Sequence, residues 1–225
     1  MGDLSIGQLS GDWPTTASQA EAVQERLRPL VDLTTPGPES AELVAGLDVG
    51  YAAHSDEVTG AIVVLDSDLR VVDQATARQK ARFPYIPGLF AFRELPPLLA
   101  ALDHLTVQPD LLICDGYGLA HPRRFGLACH LGVLTGLPTV GVAKTSFVGT
   151  HQPPDLERGS WTPLLLDGTT VGRALRTQTG VKPVYVSQGH RISLENATAN
   201  VLRVTPAYRQ PEPIRLADRL SRAED

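Results

Sequence analysis

The stretch Leu111–Arg124, LLICDGYGLAHPRR, decides how the rest of the chain is read. Leu111-Leu112-Ile113-Cys114 carries no polar side chain until it delivers Asp115, and Gly116 and Gly118 follow at once. A short apolar run that stops at turn residues predicts a buried central strand. In open α/β sheets ligands sit outside the carboxyl ends of strands, so Asp115 stands where chemistry is normally done. The glycines let a backbone or a substrate approach with no Cβ in the way. His121 and the pair Arg123-Arg124 add an imidazole and two fixed cations within a few residues of that carboxylate. A carboxylate beside cations on a bare glycine loop points to a bound metal and a phosphate. The plainer alternative is that Asp115 caps the next helix.

Upstream, Leu43–Ala52 (LVAGLDVGYA) reads as a strand with one carboxylate, Asp48, in an otherwise apolar run. An ionised, unpaired Asp is costly there and needs a partner or a metal. Ala61–Leu65 and Val71–Ala75 continue an antiparallel meander. In FPYIPG, Pro84 and Pro87 fix φ on either side of Tyr85-Ile86, making a stiff loop suited to insertion between stacked bases. A rigid surface turn with a tucked-in tyrosine is the bland reading. A helix is predicted from Leu89 to about His104 on the stripe Leu95, Leu98, Leu99, Leu102 and Leu105, with distortion at Pro96-Pro97 and Glu94 at the edge of the stripe. Residues 14–33 form an earlier helix, ended by TTPGPES.

Downstream, Phe125–Leu134 reads as a helix and Pro138–Ala143 as a strand with Lys144 at its carboxyl end. Residues 150–163 are Pro- and Gly-rich and predict a loop. Leu164–Leu166 and Val171–Arg176 predict a hairpin around Asp167-Gly168, and Val184–Ser187 another strand. A helix follows from Ser193 or Leu194 to about Val204, and Pro213 leads a last one carrying Asp218.

At 225 residues and 42% apolar, the chain can bury one full core. The expectation is a single domain: an N-terminal helical arm, 1–42, packing on a catalytic core, 43–225. No apolar run approaches eighteen residues, so no membrane span is expected, and MGDLSIGQLSGDW lacks the basic flank and apolar centre of a signal peptide. Cys114 and Cys129 lie in apolar contexts and read as buried thiols of a reducing compartment, so a cytoplasmic protein is expected. The net charge of −5 looks wrong for a nucleic-acid binder, but residues 1–42 hold seven acids against two bases, and the remainder balances. Local clusters such as Arg78-Lys80-Arg82 and Arg123-Arg124, not the overall charge, set the field a phosphate backbone meets. A solvated surface explains any one cluster equally well.

Four carboxylates thus come from separate places: Asp48 in a first strand, Glu94 early in a helix, Asp115 at a strand end and Asp218 on a terminal helix. Oxygen-only ligands select Mg²⁺ or Mn²⁺ over zinc. A meander with a carboxylate on its first strand, a central strand ending in a second and a late helix carrying another is the α/β layout of an RNase H-like nuclease, a mixed sheet flanked by helices. In that chemistry metals clamp the attacking and leaving oxygens at phosphorus.

Beyond spacing, the chain resembles endonuclease V, the deoxyinosine 3′-endonuclease family, from about Gly46 to Arg222. The likeness rests on GLDVGY, PYIPGLFAFRE, DGYGLAHPRRFGLACHLG, PTVGVAK, PVYVSQGHRISL and YRQPEPIRLADRLSR, in the family's order, with Tyr117 in the variable place of DGxG. The resemblance implies that Asp48, Glu94 and Asp115 hold the catalytic metal. Asp218 takes a fourth acidic position, where some members carry His. It implies that His121 and Lys144 lie near the scissile phosphate, and that Tyr85, with Ile86 and Pro87, forms a strand-separating wedge. It puts Gly88, Gly116 and Gly118 in loops around a lesion-base pocket; Arg123 is a further candidate substrate contact. The implied reaction is Mg²⁺-dependent hydrolysis of the second phosphodiester bond 3′ to a deoxyinosine, leaving 3′-OH and 5′-phosphate; separately, a monomer is expected. An RNase H-like nuclease acting on inosine-containing RNA or branched nucleic acid is the rival. A non-catalytic binder of damaged strands fits the intact acidic set less well.

Overall fold

The computed structural model describes residues 13–53 and 55–223. Strands β1 (Val44–Tyr51), β2 (Glu57–Leu65) and β3 (Val71–Lys80) form the expected antiparallel meander. Strands β4 (Leu111–Asp115) and β5 (Thr139–Ala143) lie parallel to β1 and to each other, and β6 (Trp161–Leu166), β7 (Thr169–Leu175) and β8 (Val184–His190) pair antiparallel. The single mixed sheet runs β3-β2-β1-β4-β5-β8-β7-β6, with β8 antiparallel to β5. The apolar run that opens the argument is therefore a central strand, with Leu111 to Cys114 fully buried. This is the RNase H-like arrangement.

Helices cover both faces, as parallel strands require. Helices α2 (Ala91–Asp103) and α3 (Leu127–Thr135) pack on Ala45, Leu47, Ile62 and Leu112. On the other face α4 (Leu194–Arg203) and α5 (Glu212–Arg222) meet Val44, Ile113, Val63 and Val186. Because side chains alternate along a strand, β1 and β4 feed both layers at once. Gly46 lets α5 come close: a Cβ there would lie 2.1 Å from the Pro213 carbonyl carbon.

Several boundaries differ from the sequence reading. β3 continues to Lys80, five residues past Ala75, because an edge strand with one solvated face needs no apolar run there. β6 begins at Trp161, inside the expected loop, and Pro163 is tolerated because β6 is the opposite edge. The helix expected over 14–33 is shorter: α1 (Ala17–Leu27) and a 3-10 turn, Arg28–Leu30, with Pro29 at that turn. Thr16 and Gln19 close a capping box at the start of α1. Within α2, Pro96 cannot donate to the Phe92 carbonyl; the Trp13 indole N–H does so instead, at 2.7 Å. Asp115 caps nothing, since α3 starts at Leu127 with Gly126 as its N-cap residue.

Candidate active site

The β1–β4 register fixes the centre of the site. Leu47 pairs with Cys114, so Asp48 and Asp115 stand one step further on adjacent parallel strands. By alternation both side chains leave the face that carries Val44, Leu111 and Ile113, the face covered by α5. Asp218 lies on α5, and Glu94 reaches the same strand ends from the first turn of α2. Burial, followed by the charges of Asp115, Asp218 and Glu94, pushes the Asp48 carboxyl up to about 7. Burial also pushes Glu94 up to about 7, reinforced by Asp115 and opposed by a hydrogen bond from Tyr51. Four acids from four elements therefore share one field.

Protein donors hold three of them. The Tyr51 hydroxyl donates to Glu94 Oε1 at 2.6 Å, and Arg222 donates to Asp218 Oδ1. Lys144 Nζ lies 3.3 Å from Asp115 Oδ2, which also accepts from Gln210 Nε2 at 3.4 Å. As they lie, no three acidic, histidine or cysteine side chains among the described residues form a ready-made metal cage. The donor chemistry nonetheless fits a hard divalent cation: the converging groups are carboxylate oxygens whose mutual repulsion such a charge would relieve.

Beside the acids opens a cleft of about 250 Å³, walled by Glu94, Asp115, Gly116, Lys144, Phe147 and the Gly88 loop. Tyr85 is 66% exposed and leans on Phe90 at 4.4 Å, whereas Ile86 tucks against the Phe83–Leu89–Phe92 cluster. Of the proline-braced pair, only the tyrosine is presented outward. Gly88 takes φ +80°, which disfavours any side chain. Its carbonyl accepts from His121 Nε2 at 2.8 Å, from Gln24 Nε2 at 3.0 Å and more distantly from Arg123.

His121 borders the cleft, but both its ring nitrogens are engaged: Nε2 donates to Gly88 and Nδ1 accepts from the Arg123 backbone N–H. Burial holds its pKa down to about 4, so the ring is neutral. Arg123 is turned toward the N-terminal arm, donating to Gln24 Oε1 and to Glu21. Gly118 does not line the cleft; its N–H donates to Ser187 Oγ, and its Cα lies against the Gln188 carbonyl. Pro87 is exposed on the loop surface.

Three contributors went unread in the sequence: Gln24, Tyr51 and Gln210. Gln24 had a signal, because Ala20, Gln24 and Leu27 share the buried stripe of α1 and a polar group there needs partners. Tyr51 and Gln210 had none, since their partners lie 43 and 95 residues away.

A mixed sheet with acids gathered at the ends of β1 and β4, under a late acidic helix, defines an RNase H-like nuclease. The sequence model of endonuclease V matches residues 25–219, and the chain belongs to the endonuclease V family. The Streptomyces coelicolor endonuclease V is 57% identical over 96% of this chain and 94% of its own length. The crystal structure of the Streptomyces avermitilis endonuclease V matches at TM-score 0.92 and 55% identity, over 95% of each chain. The Ciona intestinalis endonuclease V matches at TM-score 0.81 and 29% identity, over 92% of this chain and 96% of its own. That protein was solved in complex with a 24mer DNA containing an inosine followed by a ribo-adenosine.

Proposed function

We propose that this protein is a repair endonuclease that recognises deoxyinosine in DNA and hydrolyses the second phosphodiester bond 3′ to it, leaving 3′-OH and 5′-phosphate. The observation that carries the reading is the Asp48–Asp115 pair, fixed side by side by strand register and pressed by Glu94 and Asp218. Mg²⁺, with Mn²⁺ as a substitute, would be held by Asp48, Glu94, Asp115 and Asp218. When bound, it supplies charge stabilisation to the oxygens at phosphorus. Lys144, half exposed at the mouth of the cleft, offers a cation to the reacting phosphate.

The cleft suits an everted base. Gly88 and Tyr117 line it, and their backbone N–H groups have no protein acceptor among the described residues. A purine edge with a carbonyl oxygen would satisfy such donors, whereas the amine of adenine would leave them unpaired. Mispaired bases also cost less to extrude, which adds selectivity. Tyr85, outward on its braced loop, is placed to fill the gap in the stack, with Ile86 and Pro87 stiffening it.

Strands carrying one deoxyinosine, incubated with Mg²⁺ or with EDTA and mapped at their product ends, test the reading. Asp48→Asn should abolish nicking yet keep lesion binding. In EDTA it should resist denaturant at least as well as the parent, because it removes a repelled charge. Cleavage by Asp48→Asn at the parental rate would refute the assignment. A parallel strand with inosine in RNA tests the second reading, which the ribo-adenosine following inosine in the Ciona intestinalis complex favours.

A further inference from the structure

We propose that a second, cationic groove on the far side of Lys144 binds a backbone phosphate of the same strand, next to the one placed in the cleft. The inference rests on the nucleic-acid reading above and extends it. The groove, about 360 Å³, shares Lys144 and Thr145 with the cleft, and His151, Arg176, Lys182 and Arg209 line it among three prolines, Ser146 and Tyr185. Among the described residues, no carboxylate lines it. In a chain of net charge −5, an acid-free wall carrying four fixed cations runs against composition.

The two arginines are held rigid without being neutralised. Arg176 is 7% exposed, and its guanidinium donates to the carbonyls of Pro154, Asp155 and Val181. Arg209 donates to the carbonyls of Lys144, Lys182 and Pro183. Carbonyls satisfy the directional demand of an N–H but leave its positive charge uncompensated, and neither arginine has a carboxylate partner among the described residues. Loop-knitting accounts for those hydrogen bonds. It does not account for Lys182, which is exposed and has no ion pair among the described residues, or for the lack of acids in the described lining. Apart from Lys144, which has Asp115 at 3.3 Å, the cations of this wall share a demand for an anion. Because Arg209 grips the Lys144 carbonyl, that anion lies immediately beside the reacting phosphate, as the next phosphate of a continuous strand does.

The test is the salt dependence of binding. Short labelled single strands, with and without one deoxyinosine, are titrated in EDTA by fluorescence anisotropy against parent, Lys182→Ala and Lys182→Glu. Arg70→Glu, at the β2–β3 turn on the opposite end of the sheet, is the charge-matched control. Losing one phosphate contact should flatten the plot of log affinity against log salt by about 0.7. Over a fourfold rise in salt the parent should therefore lose roughly 2.6-fold more affinity than Lys182→Ala. Lys182→Glu should bind more weakly still, and Arg70→Glu should track the parent. Equal slopes for parent and Lys182→Ala, or equal flattening by Arg70→Glu, would overturn the groove. So would thermal protection of the parent alone by inorganic phosphate with coincident slopes, which would mark a small-anion site. Failure to prefer deoxyinosine over deoxyadenosine would count against the lesion reading alone, since the slopes decide the groove independently.

Discussion

His130→Phe should remove a large part of the acid sensitivity of this fold. His130 lies on α3, 1% exposed, stacked on Trp13 at 6.2 Å, with Phe92 edge-on at 5.1 Å and Phe125 tilted against it at 5.2 Å. Neither ring nitrogen has a partner among the described residues, and burial alone drives its pKa from 6.5 down to about 3. The sign follows from proton uptake. The unfolded chain protonates near the ordinary value while the folded chain resists, so the stability tied to this residue is complete above 6.5 and drains as pH falls toward 3. At ~1.4 kcal/mol per pH unit, the parent should lose about 2 kcal/mol through His130 between pH 8 and pH 5. The phenylalanine has no such loss. Any overpacking it causes shifts the whole curve without changing its slope, and the other titrating groups cancel in the difference. Urea titrations from pH 8 to pH 5, followed by tryptophan fluorescence, measure both proteins. If the two curves stay parallel to within about 0.5 kcal/mol, the unpaired, neutral histidine is refuted.

Tyr85→Ala should leave stability within about 0.5 kcal/mol, because the ring is mostly exposed and leans only on Phe90, while lowering affinity for deoxyinosine strands by about tenfold. Anisotropy titrations check it, and an unchanged affinity would remove the wedge. Gln24→Leu strands the Phe125 carbonyl and the Arg123 Nε and loosens Gly88, so it should cost about 2 kcal/mol in denaturant titrations and lower kcat/KM on deoxyinosine strands. Gln24→Glu keeps the acceptor for Arg123 but not the donor to Gly88, so recovery of stability without kcat/KM would assign the Gly88 contact to substrate.

The parts of the fold legible in the sequence were those written in local hydrophobicity. The LLIC run, the apolar β1 and the leucine stripe of α2 each carry their own period, and Asp48 and Asp115 stood out because a charge in an apolar strand needs a reason. The end of β3 and the start of β6 were not legible, because an edge strand owes its pairing to a neighbour and can be polar throughout. Within the site, the acids and Lys144 could be named singly, but not which donor meets which acid. Whether His121 faces solvent or fastens a loop depends on Gly88, 33 residues earlier, and whether Arg123 is free depends on α1, 99 residues earlier. The sequence allows either a phosphate contact or a hydrogen-bonded loop histidine at position 121, and nothing near it or Arg123 in the chain decides between free and fastened. What the arm contributes to the site is hidden for the same reason; its Gln24 stands against the Gly88 loop.

The distribution of donors around the acids also says which of them bears the strain. Glu94 has Tyr51, Asp115 has Lys144 and Gln210, and Asp218 has Arg222. Asp48 alone has no side-chain donor among the described residues and is relieved only by a backbone N–H. Nor can it withdraw: β2 and β4 flank it in fixed register, and α5 rests on Gly46 two residues earlier. A buried carboxylate held against three others opposes folding, and the apolar layers on both faces of the sheet must outweigh it. A neutral side chain at this position would make a more stable protein, so stability gives no reason for the charge. The role proposed for it, holding a divalent cation, does.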